Sequence, residues 1–174
     1  MLVVFGSRQQ IEAFDKADSR KKSVVGIFGV QTSLDGMAFM TDFFLGQGEG
    51  LTHGHEDHIG AVAWLWPRWG CPIIATPLAA AMLRIKFAER GLSSDAIEVI
   101  TPGEAWDIAG FSCRFLALTH SIPESCAVFI QAGNTRLLHT GDWKIDRTPG
   151  VGLPIDLDRL AELVDKSGNN FSFH

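Results

Sequence analysis

Four potential metal ligands crowd into six residues at His53-Gly54-His55-Glu56-Asp57-His58, and only a scaffold that holds a loop rigidly at an element junction can use such a density. Imidazole nitrogens and carboxylate oxygens are the donors that zinc and similar divalent cations accept. On an extended backbone His53, His55 and Asp57 would share one side. A tight turn at Gly54 leading into a helix instead divides the set, so that some donors serve one cation and some a second. The competing reading is a polar surface loop with chance histidines. It is the weaker one, because four of the six histidines of the chain lie here or at His120.

Composition narrows what surrounds this loop. The chain has 174 residues, the length of one domain, enough to bury roughly two thirds of the surface that its unfolded form exposes. Apolar residues make up 46% and charged residues 20%, which excludes a disordered chain and needs no disulfide staples. The net charge is 15 − 20 = −5, and no basic run exceeds Arg20-Lys21-Lys22. Composition therefore gives no electrostatic footprint for a nucleic acid, and a polyanion would have to be held through metal ions. Cys71, Cys113 and Cys126 are odd in number and form no CxxC pair, which excludes a thiolate zinc site and points to a reducing, cytoplasmic compartment. The apolar run Met1–Phe5 is too short for a signal peptide, and no segment approaches the length of a spanning helix.

Patterning places the chemistry at element ends. Residues 1–50 show no strong period. Ile59–Trp66 reads as a short buried helix stopped by Pro67, with the histidine loop leading into it. Pro72–Ala75 reads as a strand, and Thr76-Pro77 as the N-cap and first position of a helix running to Arg90. Ala96–Ile100 is a strand and residues 101–103 a turn. Phe111–Phe115 alternates with period two, and that strand runs on to His120. Residues 127–131 and 136–139 form two strands across a turn at Gly133-Asn134, the second leading to Asp142. Leu157, Leu160, Ala161 and Val164 define one face of a helix capped by Asp156, followed by a polar tail over 167–174. Strands outnumber helices, which predicts a layered α/β sandwich.

His53–Gly60, HGHEDHIG, resembles the HxHxDH signature of the metallo-β-lactamase superfamily. Thr119-His120-Ser-Ile-Pro-Glu-Ser125, Leu138-His139-Thr-Gly-Asp142-Trp-Lys-Ile-Asp146 and Thr76-Pro77-Leu78 are similar to segments of ribonuclease J, in the β-CASP branch. The similarity covers about residues 51–160. It implies a four-layer αββα sandwich, here incomplete, with residues 1–50 as a poorly matching part of the same domain and 51–166 as its core. It also implies a hydrolase of RNA phosphodiester bonds that uses two divalent cations, zinc before manganese or magnesium. His53, His55 and His120 would hold one cation and Asp57 and His58 the other, with Asp142 bridging both and a water between them attacking the phosphate. Asp57, His58 and Asp142 are thus the residues expected at the chemistry, and RNA is the expected partner, with a homo-oligomer open.

Around that set, His139 reads as a packed core histidine and Glu56 as a loop-stabilising residue. Ser121 and Ser125 are candidate phosphate contacts. Trp64, Trp66 and Trp69 read as core packing and not as a base-stacking platform. The resemblance also sets expectations where the chain departs from the family. No counterpart of a further metal-ligand histidine or of the β-CASP motifs follows, and His174 is no substitute. Glycines at 46, 48 and 50 weaken the approach to the cluster by about 0.5–1 kcal/mol each, which predicts a loosely held His53. Two readings compete with a ribonuclease: a small-substrate hydrolase of the same superfamily, and a metal-binding remnant without turnover.

Overall fold

The computed structural model describes residues 25–26, 32–34, 37–39, 43–45 and 48–160, apart from 109, 133–134, 153 and 159. Strands β1 (Val25–Gly26), β4 (Phe43–Leu45), β5 (Glu49–Leu51), β6 (Ile73–Ala75) and β7 (Ile97–Val99) form one sheet in the order β1-β4-β5-β6-β7. Its β5-β6-β7 portion is parallel, with Glu49 opposite Ile73 and Ile73 opposite Ile97. Parallel neighbours need crossovers. Those are supplied by helices α1 (Glu56–Ile59), α2 (Val62–Trp69) and α3 (Pro77–Glu89). A second, antiparallel sheet runs β11 (Thr135–His139), β10 (Cys126–Ala132), β9 (Phe111–Ala117), β8 (Ala105–Ile108), and β2 (Thr32–Leu34) pairs with β3 (Met37–Phe39) separately.

Period-two alternation builds the layers. In β6, Ile73 and Ala75 join Leu51, Ile59, Val62, Leu83 and Phe87 between the first sheet and its helices. Ile74, between them in sequence, points the other way and packs with Phe111, Cys113, Phe115, Cys126, Val128 and Ile130 of the second sheet. The opposite face of that sheet carries Leu118, Ala127 and Leu138, covered by Ile155 and Leu160. Helix, sheet, sheet and a last partial layer give the αββα arrangement. In that last layer residues 157–158 and 160 are helical, and Leu160 N–H donates to Asp156 O at 3.1 Å.

Several expectations change. The glycine-rich approach does form a strand: β5 lies between β4 and β6 and is fully buried, so His53 follows a firm element. The reason is close approach, since a Cβ on Gly48 would lie 2.1 Å from Ile108 Cδ1 of β8, where the two sheets meet. Pro67 does not stop α2, which continues to Trp69. Proline removes the N–H that would bond Ala63 O, and the Arg90 guanidinium takes that place, Nε donating to Ala63 O at 3.0 Å. The same guanidinium stacks 3.5 Å over Trp64, so Trp64 stands 56% exposed beneath a cation and is not in the core. Trp66 packs as expected, its Nε1–H donating to Cys71 O. Thr76 occupies the N-cap position of α3 without making a capping bond. The turn at Gly133-Asn134, the side chain of Trp69, the helix positions Ala161 and Val164, and the tail lie outside the described residues.

Candidate metal centre

The cluster sits where three strands end. After β5, Thr52 and His53 are buried, and Gly54 leads to His55, the N-cap of α1, whose carbonyl accepts His58 N–H and Ile59 N–H at 3.0 Å each. This single helical turn carries His58 onto the flank of His53 and Asp57 beside His58. Beyond β9, Leu118 and Thr119 lead to His120; beyond β11, Thr140 and Gly141 lead to Asp142. Backbone bonds join these ends: Cys126 N–H donates to Thr52 O at 3.0 Å, linking the two sheets, and Lys144 N–H donates to Thr119 O at 2.8 Å.

Three imidazole nitrogens converge. His55 Nδ1 lies 3.1 Å from His53 Nε2 and 3.2 Å from His120 Nε2. A tetrahedral zinc with nitrogen ligands at about 2.0–2.1 Å has edges of about 3.3 Å, so the two separations from His55 Nδ1 have the length that such an ion requires. A second group comprises His53, His58 and Asp142. There His58 Nε2 lies 3.5 Å from Asp142 Oδ2 and 3.7 Å from Asp57 Oδ2, and Asp142 Oδ2 is also 3.9 Å from His120 Nε2. Five of the six residues expected at the site thus fall into these two groups, with His53 common to both and Asp142 within reach of both histidine sets; Asp57 belongs to neither group and approaches the site through His58.

The neighbours of these donors orient them. His53 Nε2 is directed at the cluster and its Nδ1 lies 3.0 Å from Thr52 Oγ1, a hydroxyl that can accept from Nδ1–H when Nε2 serves as a ligand. The far nitrogen of His55 meets Ser121 Oγ at 3.3 Å. Burial, and after it the neighbouring His55, lowers the His120 pKa below its ordinary value, although Asp142 opposes this; the neutral form is the one a cation binds. Ser125 is not a phosphate contact: it is buried, and its hydroxyl donates to Asp142 O at 3.0 Å. Glu56 ion-pairs with Lys86 at 2.7 Å and steadies the loop from α3. His139 belongs to neither donor group among the described residues. Thr52, Ser121 and Ser125 act through the donors, and their roles were not readable from residue type, because each depends on a partner distant in sequence or on a ring orientation.

The family model of the metallo-beta-lactamase superfamily matches residues 51–160, which spans every strand end just described. The chain belongs to the metallo-beta-lactamase superfamily. Within it, the chain is 39% identical over 117 residues to ribonuclease J of Sinorhizobium meliloti and 42% identical over 117 residues to ribonuclease J 1 of Streptococcus pyogenes. Each match covers 67% of this chain and 21% of the relative. Ribonuclease J of Helicobacter pylori is 38% identical over 118 residues, 67% of this chain and 17% of that one. The chain therefore spans about a fifth of the length of these relatives. Among solved structures it is similar to zinc-bound PqqB from Methylobacterium extorquens, at 20% identity and a TM-score of 0.46, covering 56% of this chain and 38% of that one. Igni18, a metallo hydrolase from Ignicoccus hospitalis, matches at 16% identity and a TM-score of 0.44, over 70% and 57% of the two chains. In this superfamily chain the histidine and aspartate cluster is a divalent-metal site.

Proposed function

We propose that this chain forms the dinuclear metal centre of a ribonuclease J-like hydrolase acting on RNA phosphodiester bonds. The observation that carries the reading is the convergence of His53, His55 and His120 on one point beside a second group at His58 and Asp142. In this assignment His53, His55 and His120 would hold one divalent cation, zinc by preference, Asp57 and His58 would hold the other, and Asp142 would be available to both. Cations held there supply Lewis acidity, easing deprotonation of a water at neutral pH and offsetting phosphate charge. The chain's own share is geometry. Buried His53 and His58 form a fixed floor, while Asp57 and Asp142, 64% and 50% exposed, face the side from which substrate arrives. A cavity of about 430 Å³ adjoins the cluster, lined among others by His120, Ser121, Ile122, Lys144 and Val151. Lys144 lines that space with an ammonium group that is paired to Asp146 at 3.2 Å, so a phosphate there would compete with that carboxylate.

The 38–42% identity to ribonucleases J, with HSIPES and HTGDWKID retained, supports RNA over a thioester or lactone substrate. A reducing, cytoplasmic setting is part of the proposal and suits three buried free thiols, of which burial pushes Cys113 and Cys126 up to about 12. No helix among the described residues is long and apolar enough to cross a membrane. We further take residues 1–50 and 51–166 as one domain. The test is to count zinc and manganese per purified chain and to assay a 5′-monophosphorylated RNA oligomer beside a generic thioester and lactone. Bound metal with RNA cleavage that Asp142→Ala abolishes is the expected result. Cleavage of the thioester or lactone alone, or fewer than one metal per chain without cleavage, overturns it.

A further inference from the structure

The loop carrying His120 doubles back at Glu124, whose φ of +60° is the only positive value at a non-glycine among the described residues. That left-handed conformation is disfavoured for any residue with a Cβ, and it persists only where the surroundings enforce it. Here the surroundings include helix α3. Glu124 Oε2 accepts Leu78 N–H at 2.7 Å. Leu78 is the second residue of α3, and the first N–H groups of a helix have no acceptor within it. The local candidate does not serve, because Thr76 makes no capping bond and its buried Oγ1 has no hydrogen-bond partner among the described residues. A carboxylate brought from 46 residues away does the capping, at the positive end of the helix dipole.

Both donor loops are referred to α3 through this contact. A Cβ on Gly54 would lie 2.8 Å from Met82 Sδ, 3.5 Å from Ile122 Cδ1 and 3.6 Å from Ala79 Cα, so the His53–His58 loop, the His120 loop and α3 meet there without spare room. On the other side of Glu124, Ser125 O accepts Leu118 N–H at 2.8 Å and Ser125 Oγ donates to Asp142 O. Fixing Glu124 therefore fixes the segment between His120 and the residue that holds Asp142.

We propose that Glu124 is a positioning residue of the metal centre. By docking on the N-terminus of α3 it sets where His120 and Asp142 stand relative to the His53–His58 loop, although it belongs to neither donor group. The proposal rests on the cluster binding metal as argued above, and its test separates the two. Zinc affinity of the full chain is measured against a competing chromophoric chelator, with far-UV circular dichroism as the check on folding. A wild-type chain that binds no zinc sinks the metal reading. Given wild-type binding, Glu124→Ala is expected to weaken zinc about tenfold, the lower end of what loss of a ligand-orienting partner typically costs.

Glu124→Gln keeps an oxygen acceptor for Leu78 N–H and is expected to restore affinity to within about threefold of wild type. Glu104→Ala is the control, because it removes a comparable carboxylate, whose Oε2 accepts Thr101 N–H at 2.9 Å. It is expected to leave zinc affinity unchanged. If Glu124→Ala fails to fold, Glu124→Asp decides, because a side chain one methylene shorter must drag the loop or lose the bond. Wild-type affinity in the deciding variant, or equal losses in the Glu124 and Glu104 variants, overturns the proposal.

Discussion

The two sides of the centre are built differently. Its imidazole floor, His53 and His58, is 0% and 3% exposed and continues the core of the parallel sheet, whereas its carboxylate rim, Asp57 on the outer side of α1 and Asp142 on the loop after β11, is open to solvent. On the floor the fold and the metal site are one object. On the rim they are separable, because an exposed carboxylate contributes little to folding. A buried polar floor also needs fixed partners, which Thr52 supplies to His53, while Asp142 on the rim is held through its main chain, whose carbonyl accepts from the Ser125 hydroxyl.

This contrast predicts graded effects. The largest is expected for His53→Ala, which removes a shared donor and opens a hole in the core: zinc affinity falls by about a hundredfold or more, and chemical denaturation of the metal-free chain shows a loss of about 2–3 kcal/mol. An unchanged metal-free stability would show that the floor is not continuous with the core. Chelation by EDTA comes next. Scanning calorimetry should show the chain still folded, with a lower melting temperature, the difference corresponding to about 2.7 kcal/mol when free zinc stood at 100 times its Kd. Collapse of the fold on chelation would mean that the floor is made by the ion.

For Asp142→Asn, zinc titration should show weakened binding while the metal-free chain changes by no more than about 0.5 kcal/mol. A larger loss would place the rim within the folding core. The smallest effect is expected for Lys86→Ala, which removes the ion pair to Glu56 and should cost about 0.2–1 kcal/mol in urea melts, the range of exposed pairs. A change in zinc affinity on top of that would promote this contact from steadying the loop to shaping it.

The same contrast explains how much could be read in advance. His53, His55, Asp57 and His58 announce themselves because ligand chemistry demands particular residue types at close spacing. His120 and Asp142 were legible as strand ends followed by family motifs, and β6, α3, β7 and β9 by periodicity and turns. Strand β8 was missed, since Ala105–Ile108 is half exposed and shows no clear alternation of residue type. Thr76-Pro77 was placed correctly as the N-cap and first position of α3, but not the carboxylate that caps it, while Trp64 and Pro67 were misread. All three depend on a side chain far along the sequence, Arg90 for Trp64 and Pro67 and Glu124 for the cap, and local patterns carry no information about such partners.

The bond from Cys126 N–H to Thr52 O ties the ends of two sheets that are far apart along the chain, and the donors stand on both sides of that seam. A bound cation would therefore act as a rivet. The donor triangle can close only when both sheets are in place against each other, so an ion held there would resist their separation.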